Sequence, residues 1–269
     1  MSDLRVTLVQ TNLHWQNPSK NRSALEGKLK EASAQSDLVV LPEMFTTGFS
    51  MEAAHLAEEM DGPTIGWMRK WAVEMNIHLI GSLIIKEDNR YYNRLIWMTN
   101  RGEYYHYDKR HLFRMAGEHE VYSAGNRLLT IKVKGWKVRP FICYDLRFPV
   151  WSRNVDLSYD VAIYIANWPE RRRTAWRTLL QARAAENQAY VVGVNRIGVD
   201  GLGIKYSGDS LVVDPVGNIL EDLKDDEKVV TGKLSKNQLE QFRNKFPTWK
   251  DADKFQLSGV EEKVISLDE

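Results

Sequence analysis

The chain has 269 residues, 43% hydrophobic, 27% charged and 10% aromatic, and its 37 lysines and arginines nearly balance 36 aspartates and glutamates for a formal charge of +1. That balance gives no basic footprint for nucleic acid, 17 glycines and 8 prolines are too few for a low-complexity chain, and no apolar run approaches the roughly 18 to 20 residues that span a bilayer. The one cysteine excludes an intrachain disulfide and a multi-thiolate metal site, and none of the six histidines pairs with another four residues on.

The first apolar stretch, Val6 to Val9, is too short for a secretory signal. With one thiol, a reducing cytoplasm is the expected compartment. Residues 4–10, LRVTLVQ, alternate and predict a strand. Asn17-Pro18 reads as a helix start, with Leu25, Leu29 and Ala32 at helical spacing behind it. Leu38 to Leu41 is a continuous apolar run ending at Pro42, the pattern of a strand buried on both faces. Over 64–76, Ile65, Met68, Trp71, Ala72 and Met75 share one helical face. Residues 77–86 and 91–99 predict a hairpin, and a third β-like run covers Tyr104 to Tyr107. The segment 109–127 has little periodicity and reads as a long functional or mobile loop. Strands follow near 128–134, 138–143, 160–165, 190–195, 209–213 and 228–233, with a helix over 172–187 and another beginning near Ser235. Asp214-Pro215 with Gly217-Asn218 predicts a hairpin turn. No repeat or linker divides this order. It reads as one α/β domain over 1–257, with two mixed sheets face to face under helices and an acidic C-terminal tail over 258–269.

Cys143 sits in RPFICYDLRFP, where a strand ends and the region of Pro149 can start a helix. Such an elbow places a nucleophile at a sheet edge near unpaired N–H groups. Taken alone, a cysteine after an apolar run is a small buried hydrophobe. Glu43 follows the buried strand in LVVLPE, and a carboxylate there is costly unless partnered. Strand ends are also where ligand crevices of α/β sheets lie. Lys109, in YDKRHLF, opens the long loop, and Glu118, in GEHEVYSAG, lies within it. Read singly, each is a surface or loop charge. Together they put a carboxylate, an amine and the only thiol at three sheet-edge positions.

On LPEMFTTGF, YDKRHLF with GEH behind it, and FICYDLRFP, the chain resembles the nitrilase superfamily of carbon–nitrogen hydrolases. ANWPERRRTAW, QARAAENQAYVVGVNR, YSGDSLVVDPVGN and FPTWKDADKF extend the likeness over nearly the whole length, most closely to the omega-amidase branch. The resemblance implies an α-β-β-α sandwich, a homodimer, and a Glu43–Lys109–Cys143 triad that needs no cofactor or metal. In that scheme Cys143 attacks an amide as a thiolate, Glu43 is the general base, and Lys109 lowers the thiol's pKa. Lys109 and the Tyr144 N–H would bind the oxyanion, and Glu118 would orient Lys109. The branch implies small 2-oxo dicarboxylic mono-amides as substrates, 2-oxoglutaramate or 2-oxosuccinamate, hydrolysed through a thioester. Their distal carboxylate calls for a cation. Arg171, Arg172 and Arg173 follow a strand end and open a helix, and Arg173 is the expected contact. Trp168 and Phe49 are expected pocket walls, and Arg147 is expected to pair with a carboxylate and hold the elbow. An aliphatic amidase, an N-carbamoyl hydrolase, a nitrilase or a non-catalytic scaffold on the same fold stay open at this point.

Overall fold

In the computed structural model, which describes residues 2–33 and 36–268, strands and helices alternate, then strands pair in hairpins. The first half runs β1 (Leu4–Gln10), α1 (Pro18–Ser33), β2 (Leu38–Val40), α2 (Ala53–Leu56), α3 (Pro63–Met75), β3 (His78–Glu87), β4 (Arg90–Met98), β5 (Tyr104–Asp108) and α4 (Glu118–Val121). It continues with β6 (Arg127–Val133), β7 (Trp136–Ile142), β8 (Val161–Ala166), α5 (Arg173–Asn187) and β9 (Tyr190–Asn195). The last elements are β10 (Ile197–Val199), β11 (Lys205–Ser207), β12 (Leu211–Val213), β13 (Ile219–Asp222), β14 (Lys228–Leu234), α6 (Lys236–Lys245) and β15 (Glu261–Ser266).

Two mixed sheets form the centre, one in the order β14-β1-β2-β3-β4-β5 and the other β13-β12-β9-β8-β7-β6-β15. The sequence pattern explains how they stack. Side chains alternate across a strand, so Leu4, Val6 and Leu8 of β1, Leu38 and Val40 of β2, and Leu95 and Trp97 of β4 face the core shared with the second sheet. Val9, Val39, Leu79, Ile96 and Met98 face the other way and pack under Leu25 and Leu29 of α1 and Ile65, Met68 and Trp71 of α3. On the far side Trp176, Leu180 and Ala184 of α5 join the shared core. Gly193 of β9 allows that approach, since a Cβ there would come within 2.5 Å of Leu180. The expected helix–sheet–sheet–helix layering is what forms.

The expected hairpin over 77–99 forms, and a second one closes on a similar tight turn. Asp88 and Asn89, both at positive φ, join β3 to β4, and Lys134-Gly135 join β6 to β7 in the same way. Asn17 caps α1 through Lys20 N–H at 3.1 Å, and Ser235 caps α6 through Gln238 N–H at 3.4 Å. The C-terminal segment departs from the reading as a tail. Glu261–Ser266 pairs in parallel with Arg127–Lys132 and completes one edge of the second sheet. Its charges point to solvent, which is why the segment reads as tail-like in sequence.

Candidate active site

The strand directions bring four groups to one place. Glu43 comes just after β2, Lys109 just after β5 and Cys143 just after β7, all beyond the C-terminal ends of their strands. Glu118 begins α4 inside the 109–127 segment, which folds into short helical turns pinned by backbone hydrogen bonds. Gly125 N–H bonds the Lys109 carbonyl at 3.0 Å and Ser123 N–H bonds the Tyr91 carbonyl at 2.8 Å. A Cβ on Gly125 would lie 2.3 Å from the Asp108 carbonyl, so only glycine lets the segment return this closely.

Lys109 and both carboxylates are buried. Lys109 Nζ donates to Glu43 Oε1 at 2.8 Å and to both oxygens of Glu118 at 2.9 Å. Asn93 Nδ2 donates to Glu43 Oε1 at 2.8 Å and to Glu118 Oε1 at 3.3 Å. Asn167, just after β8, holds Glu43 twice: its N–H donates to Oε2 at 2.8 Å and its Nδ2 to the Glu43 carbonyl at 2.6 Å. The Phe113 N–H completes Glu118 at 2.6 Å. Every buried charge here has several charge-assisted partners, which is what permits burial.

The electrostatics follow from this packing. Burial works against the Lys109 ammonium, but Glu118 and then Glu43 outweigh it and hold its pKa above the ordinary lysine value. Burial raises the Glu118 carboxyl, against the pull of Lys109. Burial also raises the Cys143 thiol well above its usual value, and the Glu43 charge adds to this, while Lys109 only partly opposes it. Burial and the Glu43 charge thus favour the thiol over the thiolate, so the expected attack as a thiolate needs Glu43 to take the proton. One ammonium between two carboxylates leaves an excess negative charge, and a third anion is unfavourable until a base takes the proton.

Cys143 itself opens a 3₁₀ turn, Cys143–Arg147, so the helical turn begins at the nucleophile and not at Pro149. Its φ is +44°, a strained value for a residue with a side chain. Asp145 braces it. Its carboxylate accepts from the Ile142 N–H at 3.0 Å, the His111 N–H at 3.0 Å and Tyr107 Oη at 2.7 Å, and lies 2.8 Å from His111 Nδ1. His111 in turn stacks on Phe148 with ring centroids 3.7 Å apart. From α5, Arg183 Nη2 reaches the Leu146 carbonyl at 2.7 Å.

Above Lys109 and Cys143 opens a cavity of about 360 Å³, walled mainly by aromatic and apolar side chains that include Phe49, Tyr144 and Trp168. Phe49 lies 5.0 Å beneath the Lys109 ammonium. Glu43 and Glu118 stand against Lys109, and Glu43 also bonds the Cys143 thiol. The cations at the wall are Arg147, Arg171 and Arg172. Arg173 is a correction: as the first residue of α5 it turns outward and bonds Asp209 at 2.7 Å. Arg147 is a second correction. It has no carboxylate partner among the described residues, and its guanidinium lies 4.9 Å over the Trp168 ring. Arg172 likewise lies 5.0 Å over Phe113. Sequence reasoning missed Asn93, Asn167 and Asp145. The last two stand in ANWPE and CYDLR, beside residues already singled out, but Asn93 lies within a strand and nothing local marks it.

Comparison with known proteins gives a concordant picture. A family profile described as "Carbon-nitrogen hydrolase" matches residues 5–244. The omega-amidase YafV of Escherichia coli is 44% identical over 258 residues, covering 96% of this chain and 100% of that one. The 2-oxoglutaramate amidase of Bacillus subtilis is 30% identical, covering 93% and 97%. Among solved structures, XC1258 from Xanthomonas campestris, a CN-hydrolase superfamily protein with an arsenic adduct in its active site, superposes with a TM-score of 0.94 at 44% identity, covering 96% of this chain and 100% of that one.

Proposed function

Because the chain belongs to the carbon–nitrogen hydrolase family, we propose that it is an omega-amidase that hydrolyses the terminal amide of 2-oxoglutaramate, and of the shorter 2-oxosuccinamate, to the acid and ammonia. The observation that carries the reading is one buried ammonium shared by Glu43 and Glu118 at the floor of a cavity that also holds the only thiol.

The chemistry follows from the geometry. An amide carbon is a poor electrophile, so it needs a strong nucleophile and charge stabilisation on oxygen. As the Cys143 sulfur approaches the carbonyl carbon, its proton passes to Glu43, so the thiol ionises only when its new bond forms. The carbonyl oxygen gains the electron pair, stabilised by the Lys109 ammonium and by the Tyr144 N–H. That N–H belongs to the first turn of a helical segment, where no intrahelical acceptor exists. The C–N bond then breaks, Glu43 returns its proton to nitrogen, and ammonia leaves a thioester on Cys143. Water, deprotonated by Glu43, attacks the thioester carbon, and the sulfur leaves with the proton. Glu118 holds Lys109 in place throughout.

Arg147 and Arg172 suit the distal carboxylate of the substrate. Both are guanidinium groups at the cavity wall, held over aromatic rings, with no carboxylate partner among the described residues. This contact separates a mono-amide of a dicarboxylic acid from a neutral aliphatic amide or nitrile. A homodimer and a reducing, cytoplasmic setting belong to the same reading. Exposed Val150 and Phe246 leave apolar surface for a second copy, and light scattering would report it.

The test is ammonia release from a panel of 2-oxoglutaramate, neutral amides, carbamoyl amino acids and nitriles, for the wild type and Cys143→Ala. The expected result is a preference for 2-oxoglutaramate and loss of at least about a thousandfold in the variant. A nitrile or carbamoyl substrate clearly preferred over every amide would overturn the amidase reading.

A further inference from the structure

Asn93 is fully buried in the middle of β4 and touches three of the four groups at the site floor. Its backbone carbonyl accepts the Lys109 N–H at 3.0 Å. Its side-chain N–H groups bond Glu43 Oε1 at 2.8 Å and Glu118 Oε1 at 3.3 Å. Its Oδ1 is buried and has no partner among the described residues. The two carboxylates dictate that orientation, since a reversed amide would set its oxygen against both. A buried acceptor left without a bond is destabilising, and an apolar side chain would avoid it. The amide is therefore suited to a task that packing alone does not set.

A carboxylate oxygen has two lone pairs in its plane. On Glu43, Oε1 receives both Lys109 Nζ and Asn93 Nδ2, whereas Oε2 receives the Asn167 N–H. Oε1 is thus saturated and Oε2 is not. We propose that Asn93 is a positioning residue: by filling the second lone pair of Oε1 and tying Glu43 to Glu118, it makes Oε2 the oxygen that exchanges the proton. In acylation the S–H bond breaks as O–H forms on Oε2 and S–C forms on the amide carbon. The same proton then moves from Oε2 to nitrogen as C–N breaks. Asn93 acts through Glu43 and touches no substrate. The proposal rests on the reading of Glu43 as the base.

The experiment compares Asn93→Ala, Asn93→Asp and Glu43→Gln with wild type, following 2-oxoglutaramate hydrolysis and iodoacetamide labelling of Cys143 across pH. Loss of a hydrogen bond to a charged group predicts a kcat about ten- to a hundredfold lower for Asn93→Ala, with KM little changed. The acid limb of kcat/KM should move to higher pH, because the Glu43 carboxylate loses a donor that favoured its charged form. Asn93→Asp adds a third carboxyl beside Glu43 and Glu118, so the same shift should be larger. Should either variant fail to fold, Asn93→Leu, which fills the volume without the donor, takes its place with the same expectation as alanine. Wild-type kcat, or a lower kcat with an unmoved acid limb and labelling profile, overturns the proposal. If Glu43→Gln is inactive in that case, the base assignment stands and only the role of Asn93 falls. A fully active Glu43→Gln removes both.

Discussion

At the scale of single residues, the three consecutive arginines show how much depends on local backbone. Arg172 ends a 3₁₀ turn and precedes α5 with non-helical backbone, and it turns into the cavity, while Arg173, the first residue of α5, turns out to Asp209. If Arg147 and Arg172 hold the substrate carboxylate, Arg172→Gln should raise KM for 2-oxoglutaramate about tenfold or more. Hydrolysis of a neutral amide of similar size should be little affected, and Arg173→Gln should match wild type on both. Steady-state kinetics on the two substrates decide it, and an Arg173 variant with the larger defect would reverse the assignment. The sequence order makes Glu43, Lys109, Glu118 and Cys143 legible because each lies in a short motif at a strand end or in the loop behind it. It does not make the arginine choice legible, because 171, 172 and 173 differ only in backbone direction. Asn93 is illegible for another reason: both of its carboxylate partners are distant in sequence, and mid-strand asparagine carries no local signature.

At the scale of elements, legibility followed burial. Interior strands such as β2 and β8 are apolar throughout and were readable as such. The short pair β10–β11, and β15 with its sequence EEKVIS, lack a clear apolar face and were not. β15 is held by its ladder to β6 and by ion pairs, Arg127 with Glu261 at 2.9 Å and Arg139 with Glu262. Surface pairs contribute little on their own, so the ladder is the larger part. Its removal would also leave β6 as an open edge, an invitation to pair with other chains. A chain ending at residue 258 should therefore unfold at lower urea, by about 1 to 3 kcal/mol, and aggregate sooner on heating. Its kcat should be unchanged while folded, because Cys143 is braced by Asp145 and Arg183, and β15 supplies neither. Normal stability in the truncated chain would mean that the strand is held too weakly to matter.

At the scale of the molecule, the sandwich buries titratable groups outside the active site as well, and they set different responses to acid. One is His78 of β3, whose ring nitrogen accepts from Trp97 Nε1 at 3.3 Å. Burial, helped by the charge of Arg101 and opposed by Asp37, pushes the imidazole down to about 4. An unfolded histidine titrates near 6.5, so between those values the unfolded chain binds more protons than the folded one. Stability from this residue is complete above the unfolded value and is lost as pH falls from about 6.5 towards 4, to a limit of roughly 3 kcal/mol. Buried carboxylates act lower on the scale. Burial would raise Asp160, but its bonds to Lys236 and the nearby Arg243 hold it below the ordinary range. Its contribution fades only when pH drops through the carboxylate range. The two effects are therefore separable. Urea midpoints measured from pH 7 to 4 should decline for the wild type, and His78→Asn, which keeps an acceptor for Trp97, should flatten the upper part of that decline. An identical slope in the variant would place the proton uptake elsewhere in the fold.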